Sequence, residues 1–364
     1  TKLDEANFLV PSQSKEGNYK VELLGNDEWA CECPDFQYRA GKIDVCKHIW
    51  AVRIALALKR VVGGVRIEPL RVDVCRFCGS SRIVKDGVRH NQACDIQVYS
   101  CKDCGRWFSN NLGFEGMKAS PQVITGAMQL YFTGESLRNV QKFLKLQGVK
   151  VGHMTVYRWI GKFVALMEKY LEKIKPQVSD TWRADELYVK VKGDMKYLFA
   201  LMDDETRFLI AQEVADSKHV HDASRLFQLG KEATGKKPKT LITDGLHSYH
   251  EAYMKEFWTQ KAPRTEHIRH ITIKGDHNNN KMERLNGEIR DREKVIRGLK
   301  KPDTPILTGY QIFHNYLRPH EGLDGKTPAQ ACGIEIDGEN KWITLIQNAS
   351  HPTKIYSPLN TTQT

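Results

Sequence analysis

Cysteine placement constrains this chain more than any other feature. Eight of its nine cysteines lie before residue 105, and six of those form close C-x-C or C-x-x-C pairs. That is not the layout of a disulfide framework. With no recognisable secretory signal, the spacing predicts metal binding in a reducing compartment. The first cluster is Cys31-Glu-Cys33 followed, after twelve residues, by Cys46-Lys-His48. Three thiolates and one imidazole suit tetrahedral zinc. The second cluster is Cys75-x-x-Cys78-Gly and Cys101-x-x-Cys104-Gly, with 22 residues between the pairs. This is a four-cysteine zinc ribbon, in which the glycine after each pair permits a tight knuckle. Four protein ligands leave no open position for chemistry, so both zinc ions are expected to be structural. Cys94 and Cys332 lie outside both sets and are expected to be small buried residues.

Around the first cluster, Phe8–Val10, Tyr19–Leu24 and Glu28–Cys31 are expected strands. His48–Leu58 is an expected helix with Ile49, Val52, Leu56 and Ala57 on its inner side. The ligand pattern C-x-C-x(n)-C-x-H resembles the SWIM zinc finger, and residues 5–60 match its length and order. Val61–Val65 has the composition of a linker.

The 364 residues suggest two or three domains. At 40% hydrophobic residues, packed cores are affordable and general disorder is excluded. The longest apolar stretch, Ile49–Leu58, has ten residues and contains Arg53. A membrane-spanning helix needs about 20, so none is expected. Net charge is +11, which suggests a polyanionic partner, most often nucleic acid.

Residues 119–175 have helical periodicity. Leu137, Val140 and Leu144 share one face, Gly148–Gly152 interrupts, and a second helix begins near His153 with Val156, Ile160 and Val164 inward. Helix, glycine turn, helix is the arrangement of a helix-turn-helix. Its outward residues include Thr155, Tyr157 and Arg158, which could enter a major groove. A plain helical hairpin for dimerisation is the alternative.

From Trp182 the pattern becomes α/β. Thr181–Val191, Lys196–Met202 and Arg207–Val214 are expected strands. A helix over Asp222–Thr234, a strand Lys239–Thr243, a helix His247–Trp258, a strand His267–Ile273 and a long charged helix Asn279–Leu299 follow. That order is RNase H-like. Asp185 lies inside a strand, where a carboxylate is costly unless it binds something. Asp244 ends a strand, and Glu283 is expected to face the sheet from the long helix. Converging carboxylates repel one another, and Mg²⁺ or Mn²⁺ relieves that repulsion. Two such ions per site can serve in-line phosphoryl transfer. Asp203, Asp204, Asp216 and Asp276 are expected turn or surface acids. His219, His221 and His247 are candidate substrate contacts, each weighed against an ordinary structural role, and Trp159 and Trp182 are expected core.

The runs Trp182–Gly193, Leu241–Tyr249 and Asn278–Arg290 resemble the insertion-sequence DDE transposases of prokaryotes, in the IS-six-like group of the retroviral-integrase-like superfamily. Asn315-Tyr-Leu-Arg-Pro-His320 and the residues to Gln330 are similar to the tail of such catalytic cores. The resemblance implies that Asp185, Asp244 and Glu283 form a catalytic, metal-binding triad, with intervals of 59 and 39 residues. Glu288 and Asp291 are the backups for the third acid. It also suggests DNA contacts for Arg290, with Asn286 and Lys294 on the same helix face as Glu283. Residues 281–301 hold eight basic and four acidic side chains, a stripe that phosphates would meet.

The expected fold class is therefore multidomain, mixed α+β and α/β. It comprises a SWIM-like finger (1–62), a zinc ribbon (68–114), a helix-turn-helix (118–176), an RNase H-like DDE core (180–335) and a tail (336–364) in which no motif is readable. The expected function is DNA transposition: binding of terminal inverted repeats, metal-dependent end cleavage and joining of 3′-hydroxyls to target DNA. A dimer or larger synaptic assembly in a prokaryotic cytoplasm, associated with the nucleoid, would follow. The rivals are a domesticated, non-catalytic DNA-binding regulator, a nuclease that cuts without joining, and a zinc-stabilised interaction scaffold.

Overall fold

The computed structural model describes residues 7–12, 17–25, 28–39, 45–52, 64–70, 72–90, 95–109, 111–269, 280–301 and 304–351. They divide between two compact units, one up to Gly64 and one from Val65 to Ile355.

In the first unit, β1 (Asn7–Pro11), β2 (Asn18–Gly25) and β3 (Glu28–Cys31) form an antiparallel sheet in that order. Cys33 caps the short helix α1 (Pro34–Tyr38), its sulfur accepting from the Phe36 N–H. Residues 47–52 are helical. The core is Phe8, Val21 and Ile49 with the cysteines themselves. A module this small lacks enough apolar area to fold alone, which is why its ligands sit in its centre. Leu56, Ala57, Val61 to Gly63 and Cys94 lie outside the described residues.

The second unit opens with β4 (Val65–Ile67), so Val65 belongs to a strand rather than a linker. The ribbon follows as β5 (Ile83–His90), β6 (Asp95–Cys101) and β7 (Trp107–Ser109), all antiparallel. Three helices come next: α2 (Pro121–Thr133), α3 (Leu137–Leu146) and α4 (His153–Leu171). Ser120 and Ser136 supply side-chain N-caps to the first two. Val140, Leu144, Val156, Ile160 and Val164 are buried, as their periodicity predicts.

The large sheet has the order β10-β9-β8-β11-β12. Its strands β8 (Thr181–Val191), β9 (Asp194–Asp203) and β10 (Leu209–Ala215) form an antiparallel meander. Helix α5 (Val220–Thr234) leads to β11 (Thr240–Thr243), parallel to β8. Helix α6 (His247–Glu256) leads to β12 (Glu266–Arg269), parallel to β11. Three antiparallel strands with two parallel ones added beside the first is the RNase H-like topology. Gly230 lets α5 approach the sheet: a Cβ there would stand 2.4 Å from Leu201 Cδ2. Trp182 is wholly buried beneath it.

The long helix α7 spans Asn280–Ile296. It is followed by α8 (Pro305–Ile312), a π-helical turn over Phe313–Leu317, a short helix α9 (Pro328–Ala331), β13 (Ile334–Ile336) and α10 (Lys341–Ser350). The segment beyond 335 is not a featureless tail. In α10, Trp342, Leu345 and Ile346 are buried, and the Trp342 indole donates to Gln129 Oε1 at 2.8 Å. β13 pairs in parallel with β4. Phe132 stacks on both Phe313 and Trp342, so α2, α8 and α10 share one apolar cluster. The ribbon, the three helices and the sheet thus belong to one unit rather than to separately packed bodies.

Candidate active site and metal centres

The sheet register builds the carboxylate site. Ile242 of β11 lies beside Arg183 of β8, and carrying that pairing two residues on sets Asp244 level with Asp185. Parallel neighbours are about 4.8 Å apart. The two acids therefore converge although 59 residues separate them. Carboxylate oxygens of Asp185, Glu186 and Asp244 all lie within 4.8 Å of one another.

Each acid is held. Asp185 Oδ1 accepts from the Glu186 N–H at 2.9 Å, and its Oδ2 accepts from Asn286 Nδ2 at 2.9 Å. Asp244 Oδ1 accepts from the Leu246 N–H at 3.0 Å. Glu186 Oε1 accepts from Lys218 Nζ at 2.6 Å. Burial, and then the charges of Glu186 and Asp244, push the Asp185 carboxyl up to about 7. Oxygen donors that repel one another this strongly are the donor set of a hard divalent cation. Two buried acceptors here, Glu186 Oε2 and Asn286 Oδ1, have no hydrogen-bond partner among the described residues. The residues present fit such an ion.

Glu186 was not among the expected site residues. Consecutive strand residues normally point to opposite faces, which gave no reason to pair it with Asp185. Both reach Asp244 because Asp244 lies one residue past the end of β11, where the sheet no longer divides its faces. The signal in the sequence was the doublet Asp185-Glu186 itself.

Glu283 corrects the expectation that it faces the sheet. It lies in the first turn of α7 and is solvent-exposed, outside the group of three converging acids. The buried stripe of α7 is Met282, Leu285, Asn286, Ile289 and Arg292. Asn286 is 3% exposed and bonded to Asp185, so it belongs to the carboxylate site and is not open to DNA as expected. Of the backups, Glu288 is engaged by the Tyr310 hydroxyl at 2.9 Å and by Arg318. Asp291 is exposed and pairs with Lys294 at 2.9 Å.

Two further contacts seat α7. Lys281 Nζ reaches Asp204 Oδ1 at 2.9 Å and its carbonyl at 2.7 Å, and Asp204 also pairs with the buried Arg183. Burial alone would raise the Asp204 carboxyl; Arg183 and Lys281 outweigh it and hold it low. Asp204 is thus a tether rather than a loose surface acid. Asp203 is fully buried and accepts from Ser179 Oγ and from the Thr206 N–H within its own turn. Asp276 lies outside the described residues.

The two cysteine clusters assemble as expected. Ligand atoms of Cys31, Cys33, Cys46 and His48 lie within 4.8 Å of one another, as do those of Cys75, Cys78, Cys101 and Cys104. Cys75 Sγ is 3.6 Å from Cys104 Sγ, and Cys78 Sγ is 3.6 Å from Cys101 Sγ. Tetrahedral zinc with Zn–S of about 2.3 Å sets sulfurs roughly 3.8 Å apart. Gly79 and Gly105 have φ of +76° and +68°, and each donates back to the first cysteine of its pair. The Cys104 N–H is the main group that holds the Cys101 thiol down to about 6. Cys332 is buried, as expected.

A family model described as the DDE domain, DDE_Tnp_IS240, matches residues 179–320, and one described as the SWIM zinc finger matches residues 18–57. The transposase for insertion sequence-like element IS431mec of Staphylococcus aureus strain N315 is 29% identical over 230 residues, covering 61% of this chain and 98% of that protein. The transposase for insertion sequence element IS257 in transposon Tn4003 of Staphylococcus aureus gives the same figures. The chain carries the DDE domain of insertion-sequence transposases and a SWIM zinc finger. Among solved structures, the HTLV-2 integrase catalytic core domain in complex with magnesium is similar with a TM-score of 0.30 and 17% identity, over 43% of this chain and 95% of that one.

The remaining expected contacts lie on two helices. On α4, Thr155 and Tyr157 are half-buried and Arg158 is exposed. On α7, Arg290 and Lys294 are exposed along the side that carries Glu283. His219 N-caps α5, while His221 and His247 are exposed beside Asp222 and Glu251. No helix among the described residues is long and apolar enough to cross a membrane.

Proposed function

We propose that this chain is a transposase that binds the terminal inverted repeats of its element as a dimer or larger synaptic assembly, cleaves the ends by hydrolysis, and joins the freed 3′-hydroxyls to target DNA. The observation that carries this reading is the convergence of the Asp185 and Asp244 carboxylates to within 4.8 Å of each other, with Asn286 of α7 bonded to Asp185.

Asp185, Asp244 and Glu283 are the triad that holds Mg²⁺ or Mn²⁺, two ions per site. Cations held there would supply activation of the attacking oxygen and stabilisation of the leaving one. Asn286 and the Glu186 N–H orient the Asp185 carboxylate, and the Leu246 N–H orients Asp244. Lys281 and Asp204 fix the first turn of α7, and with it Glu283. Arg290 and Lys294 meet phosphates beside the site. Thr155, Tyr157 and Arg158 of the helix-turn-helix reach the element end. Two structural zinc ions complete the finger and the ribbon. The workplace is the prokaryotic cytoplasm, at the nucleoid.

The test is a strand-transfer assay with labelled DNA from the flanks of the gene, supercoiled target plasmid, and Mg²⁺ or Mn²⁺. Asp244→Asn is expected to bind the ends within about twofold of wild type and to give no joined product, a loss of at least ~10³-fold. Binding without cleavage by the wild-type chain would favour the non-catalytic regulator. Cleavage without joining would favour a nuclease.

A further inference from the structure

We propose that Glu186 is a fourth carboxylate of the metal site, and that Asp185, Glu186 and Asp244 together hold one divalent cation without Glu283. The inference rests on the carboxylate site proposed above and extends it.

The Glu186 side chain is only 5% exposed. Its Oε1 is taken by Lys218, whose ammonium also lies over the rings of Tyr188 and Tyr197, 5.2 and 4.9 Å from their centroids. Lys218 is therefore fixed, and it fixes Glu186. The other oxygen, Oε2, is buried and has no hydrogen-bond partner among the described residues. The buried Tyr249 hydroxyl lies beside Glu186 but outside hydrogen-bond geometry, whereas a carboxylate serving the fold alone would be expected to take it up. The carboxylate stands within 4.8 Å of Asp185 and Asp244. Two oxygens facing each other across a Mg²⁺ ion are about 4.2 Å apart.

Charge points the same way. Three carboxylates less the one Lys218 ammonium leave a formal charge of −2, which one divalent cation cancels. Glu283, exposed on the first turn of α7, is outside this set. Its role in the proposed triad is then at a second cation, brought in with DNA phosphate.

The experiment is a Mn²⁺ titration of the full chain without DNA, read by the electron paramagnetic resonance signal of free Mn²⁺. The chain is dialysed into metal-free buffer without chelator, so that zinc stays in the cysteine sites. Wild type is expected to take up one Mn²⁺ in its tight phase. Glu186→Gln is expected to weaken that phase about 10- to 100-fold, the range seen when groups around a metal are removed. Glu283→Gln is expected to keep it within about twofold while losing strand transfer. Glu186→Asp keeps the charge but withdraws the oxygen by one methylene, and should fall between; it decides the matter if Glu186→Gln fails to fold by its melting curve. Wild-type affinity in Glu186→Gln or Glu186→Asp would overturn the proposal. So would an equal loss in Glu283→Gln, or no tight Mn²⁺ in the wild type. Asp185→Asn separates the two readings: if it binds Mn²⁺ like wild type, the underlying carboxylate site fails, and not merely the part assigned to Glu186.

Discussion

At the scale of single residues, Asp185 shows what crowding buried carboxylates costs. Its carboxyl ordinarily ionises near 3.8 and here is pushed up to about 7, first by burial and then by Glu186 and Asp244. Between those values the folded chain keeps a proton that the unfolded chain releases. Stability therefore falls as pH rises from about 4 to 7 and stays low above that. Asp185→Asn removes the penalty. Without divalent cation at pH 8, the variant is expected to melt about 2 °C or more above wild type, by differential scanning fluorimetry. The gap should close at pH 4, and Mg²⁺ should raise the wild type but not the variant. A variant that melts lower at pH 8 would contradict this account. Asp185 and Asp244 were legible in the sequence because a carboxylate inside a strand and another at a strand end are each anomalous. Glu186 was not legible, since strand alternation sends neighbours apart.

At the scale of elements, α7 carries Asn286 to the carboxylate site, and it is tied down along its length. Lys281 meets Asp204, Asn286 meets Asp185, and Glu288 meets both Tyr310 and Arg318. The last tie explains what the Asn315–His320 motif does in this molecule: Arg318 anchors α7 from the segment after it. Arg318→Ala leaves Glu288 partly buried with only Tyr310, and is expected to cost about 1–3 kcal/mol in chemical denaturation. It should also lower strand transfer more than end binding, because the side chains proposed to contact DNA remain. The extent of α7 was legible, and so was its rotation from the apolar residues, although the expectation for Glu283 followed the acid instead. Its inward stripe includes Asn286 and Arg292, two polar residues that a hydrophobic pattern assigns to solvent. Ignoring them leaves Met282, Leu285 and Ile289, which alone give the right phase.

At the scale of the molecule, residues 65–355 form one unit, and Gly309 is one of its tightest joints. A Cβ at Gly309 would stand 2.3 Å from Phe132 Cζ and 2.9 Å from Val164 Cγ2, so α8 touches α2 and α4 almost backbone to ring. Gly309→Ala is expected to destabilise by about 1–3 kcal/mol, as overpacking does, and to lower Tm by several degrees. An unchanged Tm would mean that these helices shift freely from the sheet. The four-part division drawn from motifs missed this unity for a physical reason. Motifs mark ligands and catalytic groups, whereas the joints are made by unremarkable apolar residues such as Phe132, Phe313 and Trp342. The helix at Lys341–Ser350 went unread because its work is packing and hydrogen bonding within the unit.

The pairing of β4 with β13 sets an order of events during synthesis. Arg66 and Asp337, which bond across that pairing at 2.6 Å, are 271 residues apart. At roughly 5–20 residues per second, a ribosome needs on the order of tens of seconds to deliver the second after the first. For that interval Val65–Ile67 is an edge without a partner, the kind of template on which nascent chains mispair. Its length of three residues limits the risk. A strand so short gives a stranger little to hold, and it finds its partner only once residues 334–336 have emerged.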